Sequence, residues 1–118
     1  MKSAQVQNVY VVARNVGALS AFYQKALGFR LAFADAQRWH QFKLLGSAFS
    51  VSSEAEAAVS AGQGFVPVFE IADGDSAAAA VVSAGGTFVG QRDMGAHGKA
   101  ITLRDIEGNA FQLFERGS

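Results

Sequence analysis

Apolar residues first recur at helical spacing in the stretch after residue 15. The stripe consists of Leu19, Phe22, Tyr23, Ala26 and Leu27. This spacing puts all five side chains on one side of an α-helix, so the pattern predicts a helix with one buried face. Asn15 stands where an N-cap is expected, because its side chain can accept a free amide proton, and Gly28 stands where the helix ends.

The rest of the chain alternates short apolar strands with turns, and the order of elements occurs twice. The first half is predicted as a strand over 5–13, the helix, and strands over 29–34, 38–45 and 47–53. A polar, Ala-rich stretch over 54–64 follows. The second half is predicted as a strand over 65–71, an Ala-rich helix capped by Asp73 or Asp75 and ended by Gly85-Gly86, and strands over 87–91, 99–104 and 110–115. Internal repetition of this kind is stronger evidence of architecture than the propensity of any single element.

The repeat predicts one α+β domain over residues 1–118, made of two tandem βαβββ modules. Module one covers 5–53, a connector covers 54–64, and module two covers 65–116. Each helix has to bury its apolar stripe against its own sheet. We therefore expect a curved, partly open, barrel-like mixed sheet with the helices on the outside, and a cleft of this kind suits a small molecule.

Alternation along the strands predicts which side chains face that cleft, because neighbouring residues of a strand point to opposite faces. The predicted set is Asn8, Tyr10, Ser50, Thr102, Arg104 and Gln112, with Val66, Glu70 and Phe114 on the same sides of their strands. A carboxylate in a cleft can act as a base, so Glu70 is a candidate catalytic residue. The alternatives for Glu70 are simple exposure at the strand end or an ion pair with Arg104 or Lys43.

Charge and composition argue against several classes of partner. Ten Lys and Arg residues balance ten Asp and Glu residues, so no broad positive field draws nucleic acid or an anionic membrane. No run approaches the roughly 18 apolar residues of a membrane span. The chain has no Cys, which removes thiolate nucleophiles and disulfides and suits a reducing cytoplasm. We therefore expect a cytoplasmic protein whose partner is a small molecule.

Two motifs resemble those of a known superfamily. The run FYQKALGF, residues 22–29, is similar to the first-helix signature of the vicinal oxygen chelate superfamily, and ITLRDIEGNAFQLFE, residues 101–115, is similar to its closing hairpin. Ile106 replaces the Pro that is usual in that hairpin. The superfamily includes glyoxalase I, extradiol dioxygenases, and fosfomycin- and bleomycin-resistance proteins. The resemblance covers nearly the whole chain and implies the same two-module fold.

Enzymes of this superfamily hold a divalent metal with four side chains, usually His and Glu, one from each of four strands. The resemblance matches these four positions to Asn8, a residue near Ser50, Val66 and Gln112. None of the four is His, Asp or Glu, and divalent ions need anionic oxygen or imidazole donors to offset their dehydration. The resemblance therefore implies no metal and no cofactor, and with them the Lewis-acid chemistry of the enzymes is missing.

The metal-free relatives include drug-binding resistance proteins, which commonly work as dimers whose interface completes the pocket. The resemblance thus implies a metal-independent homodimer that sequesters a small apolar or planar ligand, with Trp39 and Tyr10 stacking on it. The predicted orienting groups are Asn8, Gln112 and Arg104. Two alternatives stay open: a lyase, isomerase or dioxygenase-like enzyme, with a displaced metal site or with Glu70 as base, and a non-catalytic interaction module whose cleft its own side chains fill.

Overall fold

The computed structural model describes residues 7–57, 61–62 and 66–117. Module one comprises β1 (Asn8–Ala13), α1 (Val16–Leu27), β2 (Arg30–Asp35), β3 (Trp39–Leu44) and β4 (Ser47–Ser53). Module two comprises β5 (Val68–Glu70), α2 (Gly74–Ser83), β6 (Thr87–Asp93), a 3-10 turn (Gly95–His97), β7 (Lys99–Arg104) and β8 (Ala110–Glu115). The predicted α+β class with two tandem βαβββ modules is confirmed. The predicted module boundaries at residues 5, 64 and 65 lie outside the described residues.

Both helices begin at the predicted type of cap. The side chain of Asn15 accepts a hydrogen bond from the backbone N–H of Ala18 at 3.0 Å, so Asn15 is the N-cap of α1. Gly28 ends this helix with a φ of 69°, in the left-handed region that glycine adopts without strain. In α2 the cap is Asp73, whose carboxylate accepts from the backbone N–H of Ser76 at 3.1 Å.

The strands are divided between two four-stranded mixed sheets. Sheet A has the order β1-β4-β3-β2 and sheet B has the order β5-β8-β7-β6. In each sheet one parallel pair joins the first and last strands, and the other two pairs are antiparallel. The register shifts at the same place in both sheets, between Leu31 and Phe33 in sheet A and between Phe88 and Gly90 in sheet B. The two sheets therefore share one topology. Each residue of sheet A can be matched to the residue of sheet B that has the equivalent strand partners.

Two strands of module two differ in length from their predictions. Among the described residues of the strand predicted over 65–71, the regular part is Val68–Glu70. Pro67, just before it, has no amide hydrogen to donate to the ladder. The carbonyl of Pro67 still accepts from the N–H of Gln112 at 2.9 Å. The strand predicted over 87–91 continues to Asp93, which places Arg92 on the sheet instead of in a loop.

Both helices and both sheets contribute to one hydrophobic core. Helices α1 and α2 pack against each other, and Tyr23 of α1 lies in an aromatic cluster between the modules. The centroid of its ring is 5.1 Å from that of Phe49 in sheet A and 5.7 Å from that of Phe111 in sheet B. Phe49 and Phe69, one from each sheet, have centroids 5.0 Å apart. Rings at these distances are in packing contact, so the apolar faces of the two sheets are turned toward the same core.

A buried hydrogen-bonded centre joins the two modules. The hydroxyl of Tyr23 in module one donates to Oδ2 of Asp105 in module two at 2.9 Å. Asp105 is only 3% exposed, and its Oδ1 accepts from the backbone N–H groups of Glu107 and Asn109, each at 2.9 Å. The carboxylate of Glu107 in turn accepts from the N–H of Arg14, just before α1, at 2.6 Å. The β7–β8 hairpin that resembles the superfamily motif is thus a structural contact between modules.

The titration of Asp105 gives this centre a pH dependence that can be measured. Burial raises the pKa of Asp105, and hydrogen bonds from Asn109 and Tyr23 oppose the rise. Replacing Tyr23 with Phe removes one donor, so the folded-state pKa of Asp105 rises further above its unfolded value. The extra free-energy cost of keeping the Asp105 carboxylate charged in the folded protein is fully present above that folded-state pKa. It is lost as the pH falls through that pKa. In urea unfolding we expect Tyr23→Phe to lower the free energy of unfolding by about 1–2 kcal/mol at neutral pH.

Under mildly acidic conditions the deficit of the Tyr23→Phe protein should be smaller than at neutral pH, because a protonated Asp105 accepts a weaker hydrogen bond than a carboxylate does. A deficit that grows as the pH falls would contradict this account of the centre.

Candidate ligand-binding site

The polar face of sheet A is built on two buried serines of β4. Ser50 and Ser52 are both 0% exposed. The hydroxyl of Ser50 donates to Oδ1 of Asn8 on the neighbouring strand at 2.9 Å. The structure thus brings together Asn8 and Ser50, two of the positions that the resemblance matches to metal ligands, in an uncharged hydrogen-bonded pair.

An aromatic pair stands beside these serines. Tyr10 is paired with Ser50, and Trp39 with Ser52, across the strands. The two rings have centroids 5.4 Å apart in an edge-to-face arrangement. The indole N–H of Trp39 donates to Oε1 of Gln41 at 3.1 Å, so the ring's polar atom is satisfied and its faces supply apolar contact area.

The polar face of sheet B carries the remaining uncharged candidates. Thr102 and Gln112 are strand partners, and Nε2 of Gln112 donates to Oγ1 of Thr102 at 3.0 Å. Phe114 lies two residues farther along β8 on the same face and is partly buried. Val66, just before β5, is 51% exposed. Three of these four residues therefore form a continuous surface, and Val66 lies at its open edge.

The two charged candidates bind partners other than the predicted ones. The carboxylate of Glu70 accepts two hydrogen bonds from the guanidinium of Arg116, both at 3.2 Å, so the predicted alternative of an ion pair with Arg104 or Lys43 is wrong. The partner is Arg116 because this residue directly follows β8, the strand that pairs with β5 at Glu70. Nη1 of Arg104 donates to the carbonyl of Gly108 at 3.0 Å, which engages its charge in the β7–β8 hairpin.

Sheet B also has an open depression that the sequence did not reveal. Its volume is about 480 Å³, and its walls include Gly90, Arg92, Met94, Ala100, Thr102 and Gln112. Only the last two were predicted. The feature of the sequence that could have indicated this depression is the pair of small residues, Gly90 and Ala100, on neighbouring strands. Arg92 was missed because the strand was predicted to end one residue before it.

The candidate residues of one chain fall on two separate faces. Phe49 of sheet A and Phe69 of sheet B pack on each other in the core. Because alternate residues of a strand point to opposite faces, Ser50 and Glu70 project away from this core on different sheets. The residues that line the depression described above all belong to module two.

The donor chemistry of the site does not fit a divalent metal. Among the described residues no group of three or more His, Asp and Glu side chains could hold a metal ion. The positions that the resemblance matches to ligands supply two neutral amides, a hydroxyl and an alkyl group, and these donors do not offset the dehydration of a divalent ion.

In the described part of the chain, neither helix has the length and hydropathy that a membrane span requires.

Comparison with known proteins identifies the family. The family model described as "Glyoxalase-like domain" matches residues 8–114, a range that covers both helices and the described strands apart from the last residue of β8. The chain belongs to the glyoxalase-like domain family. This family is the one expected from the resemblance to the vicinal oxygen chelate superfamily. No curated protein matches this glyoxalase-like chain in sequence.

Solved structures share the fold of this glyoxalase-like protein at low sequence identity. A glyoxalase/bleomycin resistance protein/dioxygenase family enzyme from Burkholderia phytofirmans PsJN is 20% identical, with a TM-score of 0.78, over 95% of this chain and 98% of that chain. A lactoylglutathione lyase from Agrobacterium tumefaciens is 13% identical, with a TM-score of 0.74, over 98% and 96%. The bleomycin-binding protein of Streptomyces verticillus, complexed with copper(II)-bleomycin, is 20% identical, with a TM-score of 0.72, over the whole of both chains. At these identities the likeness shows the fold alone.

Proposed function

We propose that this glyoxalase-like protein is a cytoplasmic, metal-independent homodimer that binds a small, largely apolar, planar ligand without altering it. The observation that carries the proposal is the Tyr10–Trp39 pair beside the uncharged, hydrogen-bonded Asn8 and Ser50. Aromatic side chains give a flat molecule a large contact area, and a few convergent polar groups suffice to orient it. The Cys-free composition supports the cytoplasmic part of the proposal.

The donor set supports binding over metal-dependent catalysis. Asn8 and Ser50 bond to each other, and Gln112 bonds to Thr102. Amide and hydroxyl groups paired in this way can orient a ligand but supply neither a strong base nor a Lewis acid. Glu70, the one acidic candidate, is bonded to Arg116 in an exposed pair. The fold likeness to a bleomycin-binding protein agrees with this proposal.

A second copy of the chain supplies the missing wall of the pocket. In one chain the two polar faces point away from the shared core, so each is open on one side. Both faces carry exposed apolar residues, with Phe33 of sheet A 52% exposed and Val68 of sheet B 56% exposed. Burying such surface against another copy is favourable. We therefore infer that sheet A of one copy covers sheet B of the other.

The two polar faces are complementary in size, which supports this pairing. Strand register matches Phe33 of sheet A to Gly90 of sheet B, and Trp39 to Ala100. It also matches Ser50 to Gln112, and Ser52 to Phe114. At each pair one sheet has a large side chain and the other a small one. Where the two faces meet about a local two-fold axis, the small side chains of one copy leave room for a ligand against the large side chains of the other.

Titration with N-phenyl-1-naphthylamine, a neutral planar fluorophore, tests the proposal directly. We expect saturable binding with a dissociation constant on the order of micromolar, and a dimer in sedimentation equilibrium. Protein unfolded in guanidinium is the control, because it retains the sequence but not the site. A fluorescence signal that rises without saturating would contradict the binding function. A monomer that still saturates would contradict only the two-copy pocket.

A further inference from the structure

The depression in sheet B carries one cationic side chain, Arg92, among small and neutral residues. We propose that it binds the anionic group of the ligand, a carboxylate or sulfonate on an aromatic framework, through Arg92. The inference rests on the proposed binding function and deepens it, because it names the class of ligand. It makes Arg92 a specificity-determining residue, a role that the resemblance did not assign.

Side-chain size accounts for the open space. The positions of sheet A that match Gly90 and Ala100 of sheet B carry Phe33 and Trp39. Gly90 is not among the glycines with positive φ, so the backbone does not require glycine there. A Cβ added at Gly90 would meet nothing within 4 Å. The small residues therefore leave space on the sheet surface that the structure does not fill.

The charge of Arg92 is not used within the described part of the chain. Arg92 is paired with Ala100 on the wall of the depression. The ion pairs among the described residues join other cations: Arg38 to Asp35, Lys99 to Asp75 and Arg116 to Glu70. The adjacent acid, Asp93, points to the opposite face and accepts from the backbone N–H of Gly95 at 2.9 Å. A guanidinium in this setting matches the planar, two-oxygen geometry of a carboxylate.

Polar atoms deeper in the depression supply orientation. Gln112 uses one amide hydrogen in its bond to Thr102. An amide group has a second hydrogen and a carbonyl oxygen, and a threonine hydroxyl has its own proton. These groups lie beside Arg92 in one depression. A ligand with an anionic group at Arg92 and a donor or acceptor near Gln112 would satisfy both.

Two matched probes test this inference. The compound 8-anilinonaphthalene-1-sulfonate has the same ring framework as N-phenyl-1-naphthylamine and adds one sulfonate. We expect the native dimer to bind the sulfonate about 10-fold more tightly than the neutral probe, and Arg92→Gln to abolish that preference. Lys25→Gln, which makes the same charge change on the exposed face of α1, should keep the preference. Thermal melting of each variant confirms that it is folded.

The outcomes separate this inference from the proposed function. If neither probe binds, the binding function itself fails. If both bind and Arg92→Gln keeps the preference for the sulfonate, the assignment of Arg92 is overturned and the binding function stands. If Arg92→Gln weakens both probes equally and shifts the dimer toward monomer, Arg92 is a dimer contact and the inference is likewise overturned. Arg92→Lys, which keeps the charge but loses the two-pronged geometry, should give an intermediate preference.

Discussion

Replacing Asp105 with Ala is expected to lower the free energy of unfolding by about 3–5 kcal/mol, the range for a buried polar centre that loses its acceptor. The substitution leaves the hydroxyl of Tyr23 and the backbone N–H groups of Glu107 and Asn109 without their partner inside the protein. Each unpaired buried donor carries a desolvation cost of about 1–3 kcal/mol. Because the centre joins the two modules, its loss also loosens the packing of α1 on the β7–β8 hairpin.

Equilibrium unfolding in urea measures this effect, with Tyr23→Phe as the graded reference. If Asp105→Ala is too unstable to purify, the smaller deficit of Tyr23→Phe still tests the centre. Asp75→Ala is the matched control, because it removes an Asp whose own side chain is 79% exposed where it pairs with Lys99, and a pair open to solvent on one side contributes about 1 kcal/mol. Equal deficits for Asp105→Ala and Asp75→Ala would show that the buried centre does not join the modules.

Replacing Trp39 with Ala is expected to weaken the binding of N-phenyl-1-naphthylamine by about 10-fold or more, as is usual when a Trp at a contact surface is truncated. The substitution removes half of the aromatic pair with Tyr10 and leaves Oε1 of Gln41 without its donor. Fluorescence titration at fixed protein concentration measures the change. The loss should be similar for the sulfonate probe, because Trp39 supplies ring contact and Arg92 supplies charge.

Trp39→Phe is the matched variant for this prediction. It keeps a ring but loses the indole N–H, so we expect its affinity for the neutral probe to lie close to that of the native protein. If Trp39→Ala bound the neutral probe as tightly as the native protein does, the indole would not contact the ligand. A loss that is equal in Trp39→Phe and Trp39→Ala would trace the effect to the Gln41 hydrogen bond instead of to stacking.

Local chemistry made much of the fold predictable from the sequence. The cap at Asn15 and the stop at Gly28 depend on backbone groups within a few residues, so they could be placed without tertiary information. The polar faces also follow from local geometry, because alternation along a strand assigns each side chain to a side. The hydrogen bonds Ser50–Asn8 and Gln112–Thr102 agree with that assignment.

Long-range contacts limited the prediction of the site. The separation of the two polar faces follows from packing between Phe49 and Phe69, which no local pattern encodes. The pairing of Glu70 with Arg116 depends on the pairing of β5 with β8, two strands that are far apart in the sequence. The role of Asp105 as a link between modules requires Tyr23, which is 82 residues away in sequence. Arg92 was missed for a simpler reason, since strand ends are the least certain part of a pattern.

The most direct test of the central claim is to measure metal content and probe binding on the same preparation. Purified protein should hold no nickel, zinc or manganese in stoichiometric amount. Its affinity for N-phenyl-1-naphthylamine should be the same before and after exhaustive dialysis against a chelator. A stoichiometric transition metal that Asn8 or Gln112 contacts, or binding that the chelator abolishes and added metal restores, would contradict the account.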